Sequence, residues 1–236
     1  MANTKDINLE NYKLKLLVCG ASGSGKTHFA GTFPRPFFFD FDGGMLTLKG
    51  KDIDYETIHS YEHFKKLADK IENDDKYETI VLDSLTRLSD LLMDRIQELN
   101  HSSDKPPTIP EYGIFFANMR RLIEQFLLLD KNVIFTAHEE LIKDEVTGSV
   151  EAVPLIATKI RFRLSNYFDE AVYLSVTKKK GVPIYTLSTV GDRKRGYVKS
   201  RLGILPPVIE DPSYDKLLVY MTNSKIENTK RGGENK

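Results

Sequence analysis

Tryptophan is absent from the 236 residues and cysteine occurs once, at Cys19. A single thiol excludes an intrachain disulfide and a zinc centre built from cysteines, and it fits a reducing compartment. Cys19 lies in an apolar run ahead of a glycine-rich loop, where it reads as a small buried residue. Neither charge is in excess: 34 basic and 34 acidic side chains give a formal net charge of +0. That balance excludes a protein that coats nucleic acid by bulk charge and confines any such contact to a local basic patch. Long hydrophobic runs are also missing. Clusters such as Phe37–Phe39 and Leu127–Leu129 are far shorter than a membrane span. The polar opening MANTKDINLE has no apolar stretch of the kind a signal peptide needs. A cytoplasmic protein without membrane contact is expected.

What is present suffices for one α/β domain: 40% of the residues are hydrophobic. Short apolar segments alternate with segments of helical spacing. Strands are expected at 13–19, 36–41, 55–58, 79–82 and 132–137, and helices at 26–33, 61–73, 85–99 and about 111–129. A hairpin is expected over 139–156, turning at Thr147-Gly148, with later strands at 170–176, 183–188 and 196–200. The alternation predicts a mainly parallel sheet with helices on both faces, and the crowded later strands predict antiparallel additions at one edge. The domain is expected to span 1–221. The polar stretch 222–236 is expected to be disordered.

The strongest local signal is Gly20-Ala21-Ser22-Gly23-Ser24-Gly25-Lys26-Thr27, which fits G-x-x-x-x-G-K-[ST] in full. Glycines let the backbone curl so that successive N–H groups converge on phosphate oxygens. Lys26 can reach the outer phosphates, Thr27 can ligate Mg²⁺, and His28 follows on the helix as a further nucleotide contact. An apolar strand before the motif and a helix after it supply the required context. ATP and Mg²⁺ are the expected cofactors.

Two strands end in acids. Thr79–Leu82 runs into Asp83, as a Walker B strand does, so Asp83 is a candidate for holding the metal. The competing reading is a helix cap, from Asp83 or Ser84. Ser84 stands where AAA+ ATPases usually carry a catalytic Glu, so any hydrolytic acid must come from elsewhere. Asp40 and Asp42, in Phe39-Asp40-Phe41-Asp42-Gly43-Gly44, share one side of the pleat. Asp42, nearer the strand's exit, is the preferred residue for orienting the attacking water, with turn hydrogen bonds as the alternative for both acids.

With GASGSGKT, the segments FFFDFDGG, IVLDSLT and VKSRLGIL resemble the RecA/DnaB branch of P-loop ATPases. More closely, the chain over about Leu14–Pro207 resembles small phage nucleotide-binding proteins related to RecA, including a TAH-E pattern at Thr136-Ala137-His138-Glu139. The resemblance implies a RecA-like core with its catalytic acid at Asp42. It also implies DNA-stimulated ATP hydrolysis and action on single-stranded DNA in phage recombination, annealing or replication. His138 would sense the γ-phosphate, or simply be a hydrogen-bonded residue at the strand end. Lys199 and Arg201 would reach a neighbour's nucleotide in a homo-oligomer, or be a solvated basic strand end.

Further partners on this reading are a single-strand-binding protein or a helicase. Basic residues gather at Arg120 and Arg121, at Lys159, Arg161 and Arg163, at Lys178–Lys180 and at Arg193–Arg195, each cluster a candidate DNA contact or solvated surface charge, with Tyr112, Phe162 and Tyr197 as candidate stacking rings. Two other functions compete: a non-hydrolysing ATP switch that recruits such partners, and a nucleotide kinase sharing only the phosphate loop.

Overall fold

A computed structural model of the chain describes residues 3, 8–157 and 159–231. The strands are β1 (Lys15–Cys19), β2 (Pro36–Asp40), β3 (Asp54–Thr57), β4 (Thr79–Asp83), β5 (Asn132–Ala137), β6 (Glu139–Lys143), β7 (Val150–Pro154), β8 (Glu170–Lys179), β9 (Val182–Ser188), β10 (Lys199–Ser200) and β11 (Val208–Glu210). The helices are α1 (Lys26–Ala30), α2 (Tyr61–Ile71), α3 (Leu85–Leu99), α4 (Ile109–Leu127) and α5 (Tyr214–Arg231).

Nine strands form one sheet in the order β11-β9-β8-β1-β5-β4-β2-β3, with β10 paired to β8. From β8 through β3 every neighbouring pair is parallel. The partners β9, β10 and β11 are antiparallel. This is the α/β architecture expected, a mainly parallel sheet with antiparallel strands added toward the C-terminus. β6 and β7 form a separate hairpin, as expected.

The central strands are buried at nearly every position and mostly apolar because both their faces are covered. In β1, Leu17 and Cys19 face α2, α3 and α4, in a core that includes Phe39, Phe64, Leu88, Phe126 and Phe135. Leu16 and Val18 face α1 and the start of α5, with Phe29, Phe38, Val172, Leu217 and Met221. Period-2 alternation along one strand therefore feeds two cores. The Phe64 ring packs against Phe39, Phe41 and Phe126 at centroid distances of 5.3, 5.4 and 6.0 Å, which locks α2 to the sheet.

Some boundaries differ from expectation. α1 stops at Ala30 instead of continuing to Phe33, because the chain tightens there: Thr32 N donates to Phe29 O and Phe33 N to Ala30 O. β11 was not anticipated. α5 runs through Arg231 and so enters the stretch expected to be disordered, while 232–236 lie outside the described residues. No helix among the described residues is long and apolar enough to cross a membrane.

Candidate active site

β1 lies at the middle of the sheet, between β5 and β8, and delivers the chain into the glycine-rich loop at its C-terminal edge. Gly20 N donates to Ala137 O, which ties the start of the loop to the end of β5. No other residue fits at Gly20, where a Cβ would stand 2.3 Å from Leu174 O. Gly25 has φ 94°, in the left-handed region, and allows the turn into α1.

Lys26 is buried, and its Nζ donates to Gly20 O at 2.9 Å and Ala21 O at 3.0 Å. Burial pulls its pKa down, while the Asp83 carboxylate pulls the other way. The Thr27 hydroxyl donates to Asp83 Oδ2 at 2.6 Å, and the Thr136 hydroxyl donates to Asp83 Oδ1. Burial pushes the Asp83 carboxyl up, against the pull of these two hydroxyls. Thr136 thus orients the carboxylate from the neighbouring strand. Ser84 takes the capping role, its Oγ accepting from Arg87 N at 3.3 Å. The cap therefore belongs to Ser84, which leaves the Asp83 carboxylate turned toward Thr27.

The two acids after β2 also separate. Asp40 is 1% exposed, and its Oδ1 accepts from Gly43 N and Gly44 N at 2.8 and 3.0 Å. It is committed to shaping the turn. Asp42 lies past the strand end, lines the cavity over the loop, and has its Oδ2 3.3 Å from His138 Nε2. Burial raises its pKa, but hydrogen bonds from His138 and Ser84, with the charges of His138 and Lys26, outweigh that and leave it below the ordinary value. A carboxylate held low is a poor proton acceptor and a good fixed acceptor for orienting water.

His138 is pinned by its backbone, donating to Thr86 Oγ1 at 3.0 Å and accepting from Leu155 N at 2.8 Å. It joins β5 to the hairpin. The next residue, Glu139, receives Arg195 through two bonds of 2.8 and 3.2 Å and the Tyr197 hydroxyl at 2.6 Å. The Arg195 guanidinium in turn lies 3.5 Å from the Tyr173 ring centroid. The hairpin is thereby anchored at the end where it meets the site.

A cavity of about 930 Å³ joins these parts. Gly23, Gly25, Lys26, Thr27 and His28 line its floor, Asp42, Gly44, Thr47, Asp83 and His138 one wall, and Leu174, Tyr185, Asp211, Pro212 and Ser213 the other. The donor set fits a magnesium-bound triphosphate. Thr27 and Asp83 offer hard oxygens side by side, and Gly44 packs beside them, its Cβ position 3.6 Å from Thr27 Oγ1. Lys26 and the loop backbone would hold the phosphates, and the metal would hold and neutralise their oxygens.

Not every expected residue gathers here. Lys199 and Ser200 pair with Ala171 and Glu170, level with Leu17 and Leu16, and Arg201 lies further from the loop. Arg201 donates to Asn166 O at 2.5 Å and stands 3.7 Å from Asp169 Oδ1. Neither cation reaches this chain's own cavity lining. Tyr197 is 9% exposed and bound to Glu139, so it does not present a ring to solvent as expected. Thr136, Thr86, Tyr185 and the Asp211–Ser213 corner were missed. Thr136 and Thr86 sit inside quoted motifs, whereas Tyr185 and the Asp211–Ser213 corner come from distant segments and carry no local signal.

A parallel sheet with a phosphate-binding loop on its central strand, and a metal-side carboxylate two strands away with β5 between, defines a P-loop nucleotide-binding ATPase. A family model described as AAA domain matches residues 12–202, and the chain belongs to that family. The match ends before β11 and α5. No curated protein matches the chain.

Proposed function

We propose that the protein is a Mg²⁺-dependent ATP hydrolase of the RecA/DnaB branch that acts on single-stranded DNA, of the annealing type used in phage recombination or replication, in the host cytoplasm. The observation that carries the hydrolytic reading is the Asp42–His138 contact on the same cavity wall as the Thr27–Asp83 pair. Lys26 and the loop amides hold the phosphates. Asp42 orients water toward the outermost one, and His138 reports its presence to the hairpin that begins one residue later.

A second groove supports the DNA partner. Its volume is about 910 Å³, and it is lined by Ile109, Tyr112, Phe116, Lys159, Phe162 and Arg163. Tyr112 and Phe162 are 39% and 56% exposed, and Arg161 lies 5.2 Å from the Phe162 ring centroid. Exposed rings beside cations suit a single strand, whose bases stack while its phosphates are neutralised. Lys199 and Arg201, outside the lining of their own cavity, suit action on a neighbouring copy. A single-strand-binding protein or helicase would join through the same DNA.

The test is the rate of phosphate release from ATP with and without single-stranded DNA at low salt. The reading expects stimulation that declines as salt rises and is lost in Phe162→Ala. A rate indifferent to DNA, with no binding by gel mobility, would remove the DNA partner. In a mixture of Arg201→Ala and Lys26→Ala chains, the way activity depends on the ratio reports whether the cation acts between copies.

A further inference from the structure

The cavity wall opposite Asp42 and His138 has no part in holding phosphate or metal. It is made by Leu174, Tyr185, Asp211, Pro212 and Ser213. Several contacts fix it against the loop. A Cβ added to Gly25 would stand 2.9 and 3.1 Å from Tyr185 ring carbons and 3.2 Å from a Leu174 methyl, so the ring lies directly against the loop backbone. Asp211 N donates to Tyr185 O at 2.7 Å, extending the β9–β11 ladder one step and placing the corner beside that ring. Tyr214 N donates to Thr32 Oγ1 at 2.9 Å, and the Phe33 and Tyr214 rings sit 4.9 Å apart, which ties the corner to the end of α1.

The corner itself is stiff. Asp211 has φ 45°, a left-handed conformation uncommon outside glycine, and Pro212 follows with its backbone angle fixed. Side chains in such conformations cluster where a site is held in one shape. Pro212 is buried, Tyr185 is half-buried, and Asp211 is exposed at the rim.

A half-buried aromatic ring, a leucine and a proline make an apolar surface for a flat ligand, and the rim supplies a carboxylate acceptor and a hydroxyl. A nucleobase has that shape. A carboxylate at the rim can accept from an amino group on the edge of a base. We propose that Tyr185, Asp211 and Pro212 form the nucleobase subsite of this cavity. The proposal rests on the loop being the triphosphate site. Asp211 and Pro212 lie past the end of the family match at residue 202, whereas Leu174 and Tyr185 lie within it.

The experiment is titration calorimetry of the full chain with ATP and inorganic tripolyphosphate, each with Mg²⁺, on the wild type, Tyr185→Ala and Asp211→Ala. The readout is the ratio of ATP to tripolyphosphate affinity, which cancels any general weakening of the loop. The wild type should bind ATP more tightly than tripolyphosphate. Tyr185→Ala should lower the ATP affinity about tenfold, the scale of one lost ring-stacking contact, with tripolyphosphate unchanged. Asp211→Ala should lower the ATP-to-tripolyphosphate ratio by a smaller factor. If the ATP-to-tripolyphosphate ratio is the same in all three proteins, the subsite assignment is overturned while the loop stands. If the wild type binds neither ATP nor tripolyphosphate, the loop reading fails and takes the subsite with it.

Discussion

Asp40 and Asp42 differ by two positions and have different work. Spacing alone placed both acids on one face, and only its position nearer the strand's exit favoured Asp42. The choice is made by two glycine amides, Gly43 and Gly44, which bond to Asp40 and close the turn on it. Asp42 is left to meet His138, a partner 96 residues away that no local pattern could supply. The phosphate loop was legible residue by residue, because its chemistry sits in eight consecutive positions. Thr86 and Thr136 were not, since each acts through a strand or helix placed beside the loop only by the fold. If Asp42 orients water, Asp42→Asn should lower the turnover of ATP by roughly 10²–10³ while changing ATP affinity by less than about threefold. Steady-state phosphate release and calorimetry measure the two separately. Unchanged turnover would assign the role to another residue.

Elements whose local and tertiary signals agree were read with their boundaries. α3, at Leu85–Leu99, and β5, at Asn132–Ala137, are in this group. Both have a clear period and a start set by a cap or a polar residue. β11 has three residues between prolines, and only its pairing with β9 makes it a strand. The polar stretch 101–108, between α3 and α4, is bound from within. Gln97 Nε2 donates to Lys105 O at 2.7 Å, and Ser102 bonds to Glu111.

Glu111 organises the entry to α4. It accepts from Thr108 N at 2.7 Å, Thr108 Oγ1 at 2.8 Å, Asn100 Nδ2 at 3.1 Å and the Ser102 hydroxyl. These donors, led by Ser102, pull its carboxyl down to about 2 from an ordinary 4.5. A depressed carboxyl contributes stability that is complete above the unfolded value and is lost as pH falls through the folded one. Glu111→Gln should therefore lower the melting temperature at neutral pH and flatten its decline between pH ~4.5 and ~2. Thermal unfolding followed against pH checks this, and an unaltered acid limb would show that the cluster does not hold α4.

At the scale of the molecule, the site follows from one strand order. β1 has parallel neighbours on both sides, so the loop at its exit stands between the carboxylate end of β4 and the antiparallel strands β9 and β11. Metal-side chemistry and the ligand-sized second wall thus reach the same cavity from opposite halves of the sheet. The parallel half was legible, because apolar runs alternating with amphipathic helices have few other solutions. The antiparallel half was legible only as an edge addition, since its meaning depends on where β9 lands relative to Gly25.

Lys26 joins both halves at the floor of the cavity, and its replacement is the most direct test of the account. Phosphate release from ATP should be measured for the wild type and Lys26→Ala in the presence of Mg²⁺, with circular dichroism confirming that both are folded. The account predicts turnover by the wild type and a fall to the background rate in Lys26→Ala. Turnover by the folded variant at the wild-type rate would contradict it.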